Sequence, residues 1–134
     1  MRPLTGVERK IVRWFAEQVD QPQRQSLLSD LDQALAEEIH DEQLTIRFHI
    51  DGYTRPPYRL ERSLPIDAMA LDADGANLAV TVAADENGRL FELQVIRFER
   101  GHVLAPDWDT LRRLAPEEII NLGTYSTDKR PPGD

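Results

Sequence analysis

Two apolar runs back to back, residues 77–83 and 90–98, give the chain its clearest pattern. Leu78-Ala79-Val80-Thr81-Val82-Ala83 reads as one strand, Asp85-Glu86-Asn87-Gly88 as a reversal, and Leu90 to Phe98 as the returning strand. Asn-Gly between apolar runs is a strong hairpin signal, because both residues tolerate the positive φ of a tight reversal between twisted strands. On the return, Phe91, Leu93 and Val95 share one face and Glu92 and Gln94 the other, while Ile96 and Phe98 carry apolar character onto that second face. A strand covered on both sides near its end is expected at the centre of a sheet.

Upstream the period changes from two to about 3.6 residues. Thr5-Gly6-Val7-Glu8 matches a capping box, and Val7, Ile11, Trp14, Phe15 and Val19 then recur as one buried helical stripe. Gln21-Pro22 interrupts it. Asp20 is the expected cap of a second helix with Pro22 in its first turn, and Leu27, Leu28, Leu31, Leu35 and Ile39 supply its stripe. So short a connection predicts an antiparallel helical hairpin.

Leu44-Thr45-Ile46-Arg47-Phe48-His49-Ile50 alternates without a fault, with Leu44, Ile46, Phe48 and Ile50 facing the core. Arg55-Pro56-Pro57 blocks regular pairing, and Tyr58 to Leu71, broken by Pro65, reads as a bent or broken edge strand. After Gly101, Pro106-Asp107-Trp108-Asp109 reads as a helix start capped by Asp107 or Asp109. A short helix follows from Pro116 to Leu122, closed by Gly123. The predicted fold is α+β: an N-terminal helical hairpin on one face of an antiparallel meander of about four strands, with short C-terminal helices. Residues 1–125 form the expected single domain and 126–134 a frayed tail.

Composition narrows the chemistry more than it names it. The 134 residues suit one core. No cysteine is present, which excludes disulfides and thiol catalysis and fits a reducing cytoplasm. No apolar run approaches the roughly 20 residues of a membrane span. The net charge of −8 argues against a nucleic acid partner, whose phosphates must be neutralised. The acids are also segregated. Asp30, Asp32, Glu37, Glu38, Asp41 and Glu42 lie between Arg24 and Arg47, and Asp67, Asp72, Asp74, Asp85 and Glu86 between Arg62 and Arg89, with no basic residue inside either run. Such runs form either a solvated surface or an acidic face for a basic partner.

Motifs for catalysis do not emerge. His40, His49 and His102 lack metal-ligand spacing and read as surface or rim residues. Asp72-Ala73-Asp74-Gly75-Ala76-Asn77 places its glycine and later ligands wrongly for a calcium loop, so it reads as a turn. No serine sits in a nucleophile turn, and no phosphate loop is present. No metal and no cofactor is expected. Arg55, Tyr58, Arg59 and Arg62 form a basic and aromatic patch that suits edge protection or binding equally. Trp14 reads as core, whereas Trp108 between two aspartates is either cover for the sheet or an interface anchor.

Three stretches carry a likeness: Arg2-Pro3-Leu4-Thr5-x-x-Glu8, Asp85-x-x-Gly88-Arg89-Leu90-x-Glu92-Leu93 and Pro106-Asp107-x-x-x-Leu111. With the paired helices, they resemble a family of small uncharacterised bacterial proteins found among the immunity-like neighbours of secreted polymorphic toxins. The resemblance runs from about Arg2 to Leu114. It implies a single α+β domain and supplies no catalytic residue. Many members carry a cysteine- and glycine-rich segment where this chain has Asp51 to Leu71. The function expected is that of a cytoplasmic immunity-type protein, not an enzyme, binding a cognate toxin. Its expected partner-binding residues are Glu37, Glu38, Asp41, Glu42, Asp72, Asp74, Asp85, Glu86 and Trp108. The alternative is a small-ligand module with a pocket between helices and sheet, lined by Trp14, Phe15, Phe48 and Phe91.

Overall fold

A computed structural model describes residues 1–40, 43–57 and 62–118. In chain order its elements are β1 (Arg2–Pro3), α1 (Gly6–Ala16), α2 (Gln23–Leu31), β2 (Ala34–His40), β3 (Leu44–Ile50), β4 (Arg62–Ser63), β5 (Ala68–Leu71), β6 (Asn77–Ala84), β7 (Leu90–Arg97) and β8 (Asp107–Arg113). Among the described residues the strands form one eight-stranded antiparallel sheet, ordered β1-β2-β3-β7-β6-β5-β8, with β4 paired to β6.

This overturns the expected hairpin of two long helices on a four-stranded meander. The second helix stops at Leu31, and residues 34–40 pair with β3 along their whole length, from Ala34↔Ile50 to His40↔Leu44. The periodicity that continued through Leu35 and Ile39 was misleading, because the core-facing residues of β2 are the small Ala34 and Ala36 while Leu35 is 39% exposed. A ladder of seven residue pairs against β3 outweighs the helical preference of Ala-Leu-Ala-Glu-Glu. Residues 107–113 are likewise a strand, not a helix. Their three-residue spacing of apolar positions fits an irregular register on β5, where Met69 pairs with Arg112 but Leu71 with Asp107, and Trp108 and Leu111 both reach the core. Residues 116–118 make a helical turn; the rest of the expected helix and the tail at 126–134 lie outside the described residues.

The β6–β7 hairpin and strand β3 form where their patterns predict, but Phe91 does not share the face of Leu93 and Val95, because an extra residue in β7 turns it to the other side. The reversal is differently built, however. The Gly88 amide donates to Asp85 O, the Asp85 amide to Arg89 O, and Gly88 alone takes the positive φ, at 76°. Asn87 instead caps the turn, donating its amide to Asp85 Oδ1 at 2.9 Å. The broken strand expected before the hairpin is β4 and β5, both paired to β6, although β5 is interior rather than an edge.

Both helices and one face of the sheet feed a single core built on Phe15, Leu27, Leu31, Phe48, Val80, Leu90, Leu93 and Val95. The helices therefore lie on that face. Of the α1 stripe, Ile11, Phe15 and Val19 are buried, Val7 is exposed, and Trp14 is half-buried, edge-on to Phe15. The capping box at Thr5 forms, and Arg2 closes a bidentate pair on the same Glu8 at 2.8 and 2.7 Å. The opening motif thus ties β1 to the start of α1.

Candidate partner-binding surface

On the face opposite the helices, β2, β3 and β7 place charged side chains side by side. Glu37 stands across from Arg47 and Arg47 across from Glu92. Arg47 donates from Nε and Nη2 to the same Glu92 oxygen, at 3.0 and 2.7 Å. His49 Nε2 meets Glu37 Oε1 at 2.8 Å, and this bond is the main reason the Glu37 carboxyl lies below its ordinary range.

A bulge in β7 completes the site. Ala83 pairs with Glu92 but Ala84 with Leu90, so Phe91 is the extra residue. Leu90 and Phe91 are consequently both buried, Leu90 in the core and Phe91 outside that cluster under the guanidiniums of Arg47 and Arg55, 5.2 and 4.7 Å from its ring centre. Arg55 is fastened by Asp85 at 2.8 Å, by the Leu90 carbonyl at 2.8 Å and by the Phe48 carbonyl. Tyr53 donates to Asp85 at 2.6 Å, and its phenol is pushed up, by burial first and then by that bond. Between these groups opens a cleft of about 430 Å³, lined by Glu37, Arg47, His49, Arg55 and Phe91 with Tyr53 and the two prolines. Residue patterns gave Arg55 only as part of a basic patch; its role as a clamp between β3, β7 and the hairpin turn depends on contacts far apart in sequence.

The acids expected to bind a partner have different fates. Asp85 serves the hairpin: besides Tyr53 and Arg55 it accepts the amides of Asn87 and Arg89. Burial would raise its carboxyl, and the four donors more than offset that, leaving it lowered. Asp72 has a fully covered side chain and accepts from Arg97 Nη1 at 2.7 Å and from the amides of Ala73, Leu104 and Ala105. There too burial pulls upward and the donors win. Asp74 shares Arg97, which holds its carboxyl at about 2. The Asp72–Asp74 turn is an arginine clamp. Glu37 is taken by His49. Glu38 remains 52% exposed, 3.8 Å from Arg2, and Glu86 is exposed beside the hairpin turn. Asp41 and Glu42 lie outside the described residues. Trp108 is half-buried against the core. Among the described residues, these acids do not gather into a single patch. Nor does the structure bring Trp14, Phe15, Phe48 and Phe91 around one pocket: Phe15 and Phe48 are core, and Phe91 is across the sheet.

Asp30, which the sequence marks only as one acid in a run, is the second hidden anchor. It accepts from Arg89 Nε and Nη2 and from the Leu90 amide, all at 2.8–3.1 Å. Among the described residues no three His, Asp or Glu side chains converge as a metal site, and no helix is long and apolar enough to cross a membrane.

Fold and surface define a small α+β protein with helices on one face of an antiparallel sheet and a charged, cleft-bearing face on the other. The chain belongs to a family described as a domain of unknown function (DUF6984), whose model matches residues 1–104. That span holds β1 to β7 and every residue of the cleft, and ends before β8. No curated protein and no solved structure matches the chain.

Proposed function

We propose that the chain is a binding protein of the immunity type, acting in the bacterial cytoplasm to occlude a cognate toxin rather than to turn over a substrate. The observation that carries this is the helix-free face of β2, β3 and β7, where ion pairs and a cleft are presented on rigid paired strands. A polar rim around a partly buried aromatic is the usual make-up of a protein interface. The chain's −8 charge suits a basic partner surface, and the absence of cysteine suits a reducing compartment. The working acids in this reading are the exposed Glu86 at the hairpin turn and Glu38, which lies beside Arg2 at the edge of the helix-bearing face, because Asp72 and Asp85 are covered inside the fold and Asp74, though part-exposed, is paired with Arg97.

Co-expression with the product of the adjacent open reading frame tests it. A stable complex and relief of toxicity are expected, both weakened in the Glu38→Arg, Glu86→Arg double variant. No complex with any neighbouring product would sink the proposal.

A further inference from the structure

The charges around the cleft are answered from within the fold. Arg47 donates from Nε and Nη2 to Glu92, and Arg55 to Asp85 and to the Phe48 and Leu90 carbonyls. Among the described residues no buried polar side-chain atom lacks a partner. A missing counter-charge is therefore not what the cleft presents; it presents flat surface and one open acceptor. The Arg47 guanidinium is planar, with its edge on Glu92 and its carbon 5.2 Å from the Phe91 ring centre, so the side turned away from Phe91 is what it contributes to the cleft wall. A guanidinium whose edge is held by a carboxylate still attracts the negative face of an aromatic ring. The Pro56 and Pro57 rings add apolar wall. Glu37 stands across from Arg47 on the same face. Its Oε1 takes His49, whereas Oε2 meets no described residue on a side chain 44% exposed.

We propose that the cleft receives a tyrosine or tryptophan side chain of a protein partner, its ring stacked on the outer side of Arg47 and its O–H or N–H donating to Glu37 Oε2. The volume of about 430 Å³ is within the range of ligand sites and leaves room for one such side chain. An aliphatic side chain has no π face for the guanidinium, and phenylalanine has no donor for Glu37. Buried Tyr and Trp usually find a partner for that donor, and both are enriched among the anchors that dominate protein interfaces. The proposal rests on the binding-protein reading and names the group by which the partner is held. The two fail separately. Uptake of the probe without capture of any neighbouring product keeps the cleft and loses the toxin, and a toxin complex indifferent to Arg47→Lys does the reverse.

The full chain is titrated with N-acetyl-tyrosinamide, N-acetyl-phenylalaninamide and N-acetyl-leucinamide, following the Arg47 Nε–Hε signal by NMR. A saturable ring-current shift is expected with the tyrosine compound, uptake about fivefold weaker with the phenylalanine compound, and no saturation with the leucine compound. Arg47→Lys keeps a cation for Glu92 but loses the plane, and is expected to weaken uptake of the tyrosine compound about tenfold, read from the Phe91 ring signals. Glu37→Ala, at an exposed side chain, is expected to remove the preference for tyrosine over phenylalanine and to leave the stacking shift in place. It keeps the test open if the Arg47 variant does not fold. Shifts that rise linearly with all three compounds, equal uptake of the leucine compound, or affinities unchanged in the folded variants would overturn the site.

Discussion

Several acids in this chain are internal fasteners. Asp30 shows it best: its side chain is 4% exposed and ties Arg89 and the Leu90 amide to the end of α2. Asp30→Ala leaves a buried amide and a guanidinium without their acceptor, and is expected to cost about 2–3 kcal/mol, the range for hydrogen bonds to charged groups. A lower urea midpoint at unchanged slope would establish this. A second test is pH. The Asp74 carboxyl sits at about 2 against 3.8 in an unfolded chain, through Arg97 first and the Ala76 amide next. A carboxyl depressed in the folded state stabilises above the unfolded value and loses that contribution as pH falls through the folded one. Stability is thus expected to be full above about pH 4 and to decline toward about pH 2, with Glu8, Asp72 and Asp85 pulling the same way. Urea midpoints measured from pH 6 downward should show the decline, and Asp74→Asn should make it shallower. Sequence alone showed where acids cluster, but not which arginines take them. Arg97 and Asp72 are 25 residues apart and Arg89 and Asp30 are 59 apart, so no local pattern joins them.

Elements were legible where local pattern and tertiary pairing agree. The flawless alternation of β3, the capping box of α1 and the Asn87-Gly88 reversal each reappear as structure. They part company in β2 because its buried positions are alanines, too small to mark a face, while its larger residues Leu35 and Ile39 prolong a helical rhythm. The distinction is measurable. A helix would bury Leu35, whereas the strand buries Ala36, which is fully covered and opposite Phe48. Ala36→Leu is expected to overpack the core and cost about 1–3 kcal/mol. Leu35→Ser, at a position 39% exposed, should cost less than about 1 kcal/mol. Thermal or urea unfolding of the two variants would reverse that order only if residues 34–40 were helical. Strand β8 was hidden for a related reason: its irregular register on β5 lets residues three apart share one side, which imitates a helix.

The whole molecule separates work by face, with the helices and the core on one side and paired charges around a cleft on the other. That division limits what its charge does. Asp30, Asp72, Asp74 and Asp85, four of the eleven acids singled out by their segregation, are paired with arginine at contact distance, so the −8 acts on a partner mainly through its long-range field and the exposed groups. Long-range fields accelerate encounter and are screened over about 8 Å at physiological salt. Short contacts made after docking are screened far less. For a basic toxin, association is therefore expected to slow by roughly tenfold or more as salt rises from low to several hundred millimolar, while dissociation changes little. Glu38→Arg should lower the association rate and its salt slope together. Asp72→Asn should lower both less in the fraction that stays folded, because it removes one charge, which is buried against Arg97, where Glu38→Arg reverses an exposed one. Stopped-flow association over a salt series decides the matter. A salt-independent rate, or equal effects of the two substitutions in folded protein, would remove the acidic field from the recognition step.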